Sequence, residues 1–430
     1  MKILIKNGRV INPADSMDKV VDLYIENGKV TEISENIKKP CDKVIDAHKM
    51  WVMPGFIDLH VHLREPGFEH KETIKTGSRA AAAGGFTTIC CMPNTKPVVD
   101  SVETVKYIVD EAKKNGVVNV LPIGAITKGQ EGKELADIEG MVKAGICGIS
   151  EDGKSVMDAQ LLKDAMIKAK ELNIPVMSHC EDKSLVKGGC MNEGSHCDKL
   201  GLKGISNDSE DVIVARDIVL AESTGAKLHL CHMSTSGSIE LLKDAHERKV
   251  NVTGEITPHH FTLSDEAVNK NDTNTKMNPP LRNKDDVEAM RKAFRDGIAE
   301  TIATDHAPHS EEEKAKDYQS APFGIVGSET AFALANSVLV EEGYISPMTL
   351  VEKMSYNPAK ILGINKGDIS IGKPADITIA DPEKVYKIDK NKFFSKGKNT
   401  PFDGYEVKGS VEYTIVNGKV VFEKGKINDN

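Results

Sequence analysis

The 430-residue chain lacks the features that define several large classes of protein. Nowhere do 18 apolar residues run together, and the segment after Met1 is too short in apolar residues for a signal peptide, so we expect a cytoplasmic protein that does not contact a membrane. A formal net charge of −9 leaves no basic surface for nucleic acid. The eight cysteines include no Cys-x-x-Cys pair, which argues against a zinc ribbon or a redox motif. A soluble enzyme that acts on a small molecule fits these absences best.

Both ends of the chain alternate short strands with tight turns. In the first fifty residues the turns are Asn7-Gly8 and Asn27-Gly28, in which both residues accept a positive φ. Residues 368–424 show the same pattern, and a strand at 411–416 leads into Asn417-Gly418. We therefore predict that residues 1–51 and 367–430 build one small β-sandwich domain from both chain ends.

Between the ends, apolar strands alternate with helical segments. The predicted strands lie near 52–60, 86–92, 117–125, 145–151, 174–180, 226–232, 250–256 and 300–305, and helices fill gaps such as 156–172, 209–223, 238–249 and 285–296. Eight such units predict an α/β fold, a closed TIM (β/α)8 barrel over residues 52–366. A doubly wound open sheet is the alternative, but no Gly-x-Gly-x-x-Gly follows the first strand. Long segments at 181–207, 257–283 and 306–327 follow strands and should rim the carboxyl-terminal face, where active sites of this fold lie.

Side chains that bind metals stand at the ends of five predicted strands. His60 and His62 lie one residue apart on the first strand, so both imidazoles point the same way. Imidazole and carboxylate groups are good ligands for first-row divalent metals, and a barrel brings its strand ends together around one axis. The set is His60, His62, Asp152, His179, His232 and Asp305.

Six ligands are too many for one tetrahedral zinc ion and suit two ions bridged by a carboxylate and a solvent oxygen. The charge of two dications lowers the pKa of the water between them, so water is the predicted nucleophile. The chain shows no separate signal for a serine or cysteine triad, and strand alternation predicts that Cys180 and Cys231 point away from the ligands. Ordinary buried histidines are the alternative, and His229 shows that a strand histidine occurs here without an obvious role.

Motifs after several strands resemble those of a known family. They are His60-Val61-His62-Leu63-Arg64-Glu65-Pro66-Gly67, Met92-Pro93-Asn94-Thr95, Ser150-Glu151-Asp152-Gly153, Asn278-Pro279-Pro280-Leu281-Arg282, Thr304-Asp305-His306-Ala307-Pro308-His309, Pro322-Phe323-Gly324 and Gly372-Lys373-Pro374-Ala375-Asp376. On these motifs the chain resembles, over essentially its whole length, the class I bacterial dihydroorotases of the amidohydrolase superfamily. The resemblance implies the reversible cyclisation of N-carbamoyl-L-aspartate to L-dihydroorotate with loss of water, the third step of de novo pyrimidine synthesis.

The resemblance also implies two zinc ions (Zn2+) and a role for each site residue. His60, His62 and Asp305 would bind one ion, His179 and His232 the other, and Asp152 and a solvent hydroxide would bridge them. Asp305 would also carry the proton from the attacking hydroxide to the leaving amide nitrogen. Substrate contacts would come from His62, Arg64, Asn94, Asn278, His309, Phe323 and Gly324.

The chemistry of Arg64 supports one of these contacts independently. A guanidinium two residues after His62 is the natural bidentate partner for a substrate carboxylate. A solvated arginine at the start of a loop is the alternative. For Asn94 or Asn278 alone, a turn residue beside proline would be the simpler interpretation.

Two other functional interpretations compete with this one. Allantoinases and hydantoinases or dihydropyrimidinases share the barrel and the His-x-His, but they usually bridge their metals with a carboxylated lysine on strand four, and residues 145–152 contain no lysine. Lys154 follows two residues too late. A non-catalytic homologue that partners another pyrimidine enzyme should have lost ligands, and this chain keeps them all.

The sequence is compatible with more than one interpretation of the protein's partners and of one charged loop. A homodimer and an association with aspartate transcarbamoylase are both compatible with the resemblance. The charged segment 310–317 suits either a mobile lid or a solvated face.

Overall fold

The structure is a computed structural model that describes residues 1–428. It begins with the strands β1 (Lys2–Asn12), β2 (Met17–Glu26), β3 (Lys29–Ser34), β4 (Lys43–Asp46) and β5 (Trp51–Pro54). β1 pairs antiparallel with β2 and parallel with β4 and β5. Asn27 and Gly28, with φ of 52° and 75°, turn the chain from β2 into β3 as predicted. Asn7, with φ of 60°, instead forms a bulge inside β1, because both halves of β1 pair with β2.

Parallel strands then close into a barrel. In chain order the strands are β6 (Phe56–Val61), β7 (Phe86–Cys91), β8 (Asn119–Pro122) with its continuation β9 (Gly124–Ala125), β10 (Ile149–Ser150), β11 (Val176–Ser178), the loop strands β12 (Met191–Asn192) and β13 (Gly204–Ile205), β14 (Leu228–Leu230), β15 (Val252–Ile256) and β16 (Thr301–Ile302). The ring closes where Val61 bridges His306 and the His62 N–H donates to the His306 carbonyl at 2.8 Å. Within residues 1–428 the barrel strands occupy the eight predicted positions, so the fold is a (β/α)8 barrel and the open sheet is excluded.

Helices surround the barrel and fill its loops. They are α1 (Ile74–Ala83), α2 (Val102–Asn115), α3 (Ile138–Ala144), α4 (Ala159–Glu171), α5 (Lys183–Val186), α6 (Ser195–Leu200), α7 (Asp208–Thr224), α8 (Ser236–Glu247), α9 (Pro258–Thr262), α10 (Lys284–Arg295), α11 (Glu311–Lys314), α12 (Ala331–Ala335), α13 (Pro347–Val351) and α14 (Asn357–Leu362). The predicted helices correspond to α4, α7, α8 and α10. Capping explains where they start: the Asp158 side chain accepts the Gln160 and Leu161 N–H groups, and Asn283 caps α10 in the same way. None of the helices in residues 1–428 is both long and apolar enough to cross a bilayer.

The last strands complete the sheet that the first strands began. They are β17 (Ile377–Lys387), β18 (Glu406–Val416), β19 (Lys419–Glu423) and β20 (Lys426–Ile427). β17 pairs antiparallel with both β5 and β18, which gives the order β20-β19-β18-β17-β5-β1-β2-β3 with β4 beside β1. Ile5, Val52, Ile379 and Ile415 are buried in one core. The two chain ends therefore build one β domain, as predicted, and we call these paired strands the chain-end sheet. β5 carries this sheet to residue 54, and the domain division at residues 51 and 366 stays a prediction.

The connection between β17 and β18, residues 388–405, leaves the chain-end sheet and lies against the barrel. The Ser395 hydroxyl donates to the Glu72 carboxylate at 2.6 Å, and the Phe394 N–H donates to Glu329 at 2.9 Å. Asn399 contacts the loop that follows the eighth barrel strand. This connection thus joins the chain-end sheet to the carboxyl-terminal face of the barrel.

Candidate active site

The first barrel strand, β6, and the eighth, β16, bring three metal-binding side chains together. His62 Nε2 lies 3.0 Å from Asp305 Oδ1, and His60 Nε2 lies 3.6 Å from the same oxygen. Asp152, after the fourth barrel strand, is 3.3 Å from His60 Nε2 and 3.6 Å from His62 Nε2. All four side chains are buried, so their polar atoms face one another rather than solvent.

The fifth and sixth barrel strands add the remaining two predicted ligands. His179 Nδ1 and His232 Nε2 are 2.9 Å apart, and they lie 3.5 and 3.8 Å from Asp152 Oδ1. Both imidazoles are buried. The structure therefore unites all six side chains, which we call the His–Asp cluster: His60, His62, Asp152, His179, His232 and Asp305.

The donor atoms of the His–Asp cluster suit a divalent metal. His60 Nε2, the atom that faces Asp152 and Asp305, is buried, and within residues 1–428 it has no hydrogen-bond partner. Ligand atoms of His60, His62 and Asp305 all lie within 4.8 Å of one another, and so do those of His60, Asp152 and His232. A buried imidazole nitrogen without a hydrogen-bond partner is costly, and coordination to a cation would satisfy it. The cluster is a metal site by its chemistry.

The charges of the His–Asp cluster are strongly coupled. Burial alone would raise the pKa of Asp152, but His60, His179 and His232 hold it well below its usual value. Burial acts in the same way on Asp305, and the neighbouring imidazoles again keep its pKa below the usual value. Although burial lowers the pKa of His179, Asp152 and Glu181 raise it to about 10. Both aspartates are therefore ionised at neutral pH, as a metal ligand must be.

Glu255, inside β15, is a functional residue that the sequence analysis missed. One carboxylate oxygen lies 2.8 Å from His60 Nδ1 and accepts the His232 N–H at 3.1 Å. The other lies 3.0 Å from His229 Nε2, so His229 does have a role, which is to hold Glu255. A carboxylate behind a metal-binding imidazole fixes its tautomer and orientation. An acidic residue within an apolar strand was the available signal.

Asn94, predicted to contact the substrate, also orients the His–Asp cluster. Its Oδ1 lies 2.9 Å from His62 Nδ1, and its Nδ2 donates to Asp152 Oδ2 at 3.0 Å. Both contacts turn the opposite edges of these side chains toward the centre of the cluster.

Cys231 departs from the predicted alternation. Its sulfur lies within 4.8 Å of a ring nitrogen of His60 and a carboxylate oxygen of Glu255. The reason is that β14 ends at Leu230 and His232 has a φ of 35°, so strand geometry no longer sets side-chain direction there.

A pocket of about 210 Å³ opens above the His–Asp cluster. The partly buried Arg64 donates from Nε to the Pro308 carbonyl at 3.2 Å, and its Nη2 lies 3.3 Å from His309 Nε2. Burial, Arg64 and Lys71 lower the pKa of His309 to about 2, so this imidazole is neutral at neutral pH. Asn278 donates to the Glu181 carboxylate. All the predicted site residues except His60 line the pocket: His62, Arg64, Asn94, Asp152, His179, His232, Asn278, Asp305, His309, Phe323 and Gly324.

Two lysines whose roles were not predicted from the sequence contact the loop of residues 306–327, which we call the rim loop. Lys71 Nζ lies 3.5 Å from His309 Nδ1 and 2.9 Å from the Glu313 carboxylate. Lys314 Nζ donates to the carbonyls of Pro322 and Gly324 at 3.0 and 3.1 Å. Lys71 comes from a segment distant in sequence and Lys314 from within the rim loop, and no local sequence pattern predicts either set of contacts.

Two family models match the chain, and relatives of about 50% identity cover nearly all of it. Residues 49–238 match the model described as "Dihydro-orotase-like", and residues 258–422 match "Amidohydrolase family". The dihydroorotase of Caldanaerobacter subterraneus subsp. tengcongensis is 50% identical over 99% of this chain and 98% of that protein. The dihydroorotase of Pelotomaculum thermopropionicum is 51% identical over 98% of this chain and 99% of that protein.

Solved structures share the architecture at lower identity. The L-hydantoinase (dihydropyrimidinase) of Arthrobacter aurescens has a TM-score of 0.90 at 25% identity and covers 100% of this chain and 97% of its own. The dihydropyrimidinase of Brevibacillus agri has a TM-score of 0.87 at 25% identity over 99% and 96% of the two chains. This chain and these two solved structures thus share one architecture, the barrel with its chain-end β domain.

Proposed function

The chain belongs to the dihydroorotase family of amidohydrolases, and we propose that it interconverts N-carbamoyl-L-aspartate and L-dihydroorotate in the pocket above the His–Asp cluster. One observation carries the assignment to this pocket: Arg64 lines it together with His62 and Asp305. A guanidinium beside the reacting centre suits a substrate that bears a carboxylate next to its scissile amide. The hydrogen-bond contacts of Arg64 are the Pro308 carbonyl and the uncharged His309 imidazole, neither of which neutralises its charge.

The His–Asp cluster indicates that the activity depends on a metal. The identity and number of the metal ions are part of this proposal. His60, His62 and Asp305 would hold one zinc ion, His179 and His232 the other, and Asp152 would bind both. Such ions supply a Lewis acid for the ring carbonyl and lower the pKa of the attacking water. Metal analysis of the purified protein should find about two equivalents of zinc per chain. Less than one equivalent of tightly bound metal would contradict the binuclear centre.

The protein's own residues would orient the substrate and move the proton. Asp305, ionised beside His62, would accept the proton of the attacking water and deliver it to the amide nitrogen that leaves. Asn278 and the backbone of Phe323 and Gly324 would hold the amide edge of the ring. Asn94 would fix His62 and Asp152 while it contacts the substrate.

A parallel assay tests the substrate assignment. Purified protein should hydrolyse dihydroorotate and leave dihydrouracil, hydantoin and allantoin nearly untouched, because only dihydroorotate carries the carboxylate that Arg64 would bind. Faster turnover of hydantoin or dihydrouracil would support the hydantoinase interpretation, which the likeness to hydantoinase structures keeps in view. Against it, residues 145–152 contain no lysine, and Lys154 is exposed in the loop that follows β10.

The remaining interpretations concern partners and location. A non-catalytic homologue should lack ligands, whereas all six are present in one cluster. A homodimer, an association with aspartate transcarbamoylase and a cytoplasmic location stay predictions. Sedimentation of the purified protein, alone and mixed with aspartate transcarbamoylase, would test the first two.

A further inference from the structure

We propose that Asn399, in the connection between β17 and β18, is a positioning residue for substrate binding. Asn399 is 4% exposed, and its side chain lies against the rim loop, which carries His309 and Gly324. The inference rests on the proposed function, because it assumes that these two residues contact the substrate. It assigns the connection between β17 and β18 a part in substrate recognition in addition to joining two strands.

Both polar atoms of the Asn399 side-chain amide form hydrogen bonds to the rim loop. Oδ1 accepts the His309 N–H at 3.0 Å. Nδ2 donates to the Ala307 carbonyl and to the Gly324 carbonyl, both at 3.0 Å. The Asn399 backbone carbonyl also accepts the Val326 N–H at 2.9 Å. A primary amide offers two donors and one acceptor in one plane, so neither Asp nor Leu can replace this set.

The amide spans the two limbs of the rim loop. One limb carries Ala307 and His309, the other carries Gly324, and the Ala307 N–H donates to the Ile325 carbonyl at 2.7 Å. Gly324 has a φ of 125°, and a Cβ there would lie 2.7 Å from the Ala307 Cβ, so the limbs are as close as a glycine permits. Asn399 therefore fixes the spacing between His309 and Gly324, both of which are proposed to contact the substrate.

Other contacts hold the connection in place without Asn399. Ser395 donates to Glu72 at 2.6 Å, and the Phe394 and Ser395 N–H groups donate to Glu329 at 2.9 and 3.0 Å. Within the rim loop itself, Lys314 donates to the Gly324 carbonyl at 3.1 Å and the His309 imidazole lies 2.8 Å from the Phe323 carbonyl, so the loop keeps its overall path without Asn399. A change confined to the Asn399 amide should therefore leave the fold intact and disturb the placement of His309 and Gly324.

Asn399→Asp tests the inference, because it keeps Oδ1 and turns an oxygen toward two carbonyls. We expect KM for dihydroorotate to rise about tenfold or more, while kcat and metal content change little. Tm should fall as well, because a buried carboxylate faces two carbonyl oxygens, but the holoenzyme should stay folded. The matched control is Asn391→Asp, an exposed residue of the same connection whose side chain contacts only Asp389 among the described residues. Its KM should equal that of the parent protein.

His309→Ala separates failure of the inference from failure of the proposed function. A raised KM in His309→Ala beside a normal KM in Asn399→Asp overturns the positioning role alone. A normal KM in both variants overturns the assignment of His309, and the inference falls with it. If Asn399→Asp lowers both kcat and Tm while KM is unchanged, the positioning role is wrong and Asn399 has only a structural role.

A measurement on the unaltered protein covers the case in which Asn399→Asp does not fold. Hydrogen exchange of the holoenzyme should slow in residues 394–402 as well as in the rim loop when dihydroorotate is added, because the Asn399 amide joins the two segments. Protection of the rim loop alone would contradict the proposal.

Discussion

Three residues of the pocket, Arg64, His232 and Asp305, have left-handed backbone with φ of 62°, 35° and 47°. Non-glycine residues rarely adopt this conformation, and its cost is accepted where surrounding contacts enforce it. Each of the three comes just after a barrel strand, where the chain leaves strand geometry. The backbone itself thus aims these side chains, and conservative substitutions keep that aim while they change the chemistry.

Asp305→Asn should remove most turnover and leave much of the substrate affinity. The amide cannot accept the proton that the ionised carboxylate would carry, and such transfer is worth about a hundredfold or more in rate. Steady-state kinetics with dihydroorotate would measure kcat, and a binding titration would measure Kd. Metal content should be determined alongside, since a variant that had lost metal would be inactive for another reason. Unchanged turnover would refute the role of Asp305.

Arg64→Lys should mainly weaken substrate binding. An ammonium cannot donate two parallel hydrogen bonds to a carboxylate, so we expect KM for dihydroorotate to rise about tenfold to a hundredfold. Arg9→Lys is the matched control, because Arg9 pairs with Asp18 in the chain-end sheet, away from the pocket. If the Arg64 variant handles dihydroorotate normally, the carboxylate of the substrate lies elsewhere.

Among the elements, the rim loop is held by two buried lysines that donate to backbone carbonyls. Lys314 Nζ donates to Lys276, Pro322 and Gly324, and Lys276 Nζ donates to Gln319 and Ala321 at 2.9 and 2.6 Å. Burial, and then Lys276, lower the pKa of Lys314 to about 7. The charged run after His309 is therefore neither a wholly solvated face nor a free lid, because α11 is anchored from beneath.

Lys314→Met should change the pH dependence of stability. Folding lowers the pKa of Lys314 from 10.5 to about 7, so the unfolded chain binds this proton more tightly. The contribution of Lys314 to the free energy of unfolding is therefore lowest below about pH 7. It rises as the pH increases toward 10.5, by at most about 1 kcal/mol per pH unit. Urea unfolding at about pH 6 and about pH 9 should show that this rise is lost in the variant. The exposed Lys316→Met is the control, and an identical slope in all three proteins would contradict the prediction.

The elements were more predictable than the contacts between them. The alternation of strands and helices predicted the barrel. His179 and His232 could be located because active-site residues of a barrel follow the carboxyl ends of its strands, which meet at one face. We call this the strand-end rule. Glu255 lies inside a strand, where that rule says nothing. Asn399 contacts the rim loop from the connection between β17 and β18, and no periodicity in the sequence links it to His309.

On the scale of the whole molecule, the barrel depends on a sheet shared by both chain ends. A chain that ends at residue 366 would lose β17 beside β5 and leave Ile5 and Val52 without Ile379 and Ile415. We expect this truncated protein to aggregate and to lack activity, since large apolar surface becomes exposed. Size-exclusion chromatography and the dihydroorotase assay would measure both. A chain that ends at Gly425 loses β20, which pairs with β19 at only two described positions, and should stay folded and active.

The shared sheet also makes completion of the fold wait for strands that are translated after the barrel. β5 leaves the ribosome before the barrel is made, whereas its partner β17 is translated after the whole barrel. During that interval one edge of β5 presents unpaired N–H and C=O groups, which can pair with another nascent chain. A translational pause within the barrel prolongs this exposure, so the emergence of β17 is the event that removes an aggregation-prone edge from the growing chain.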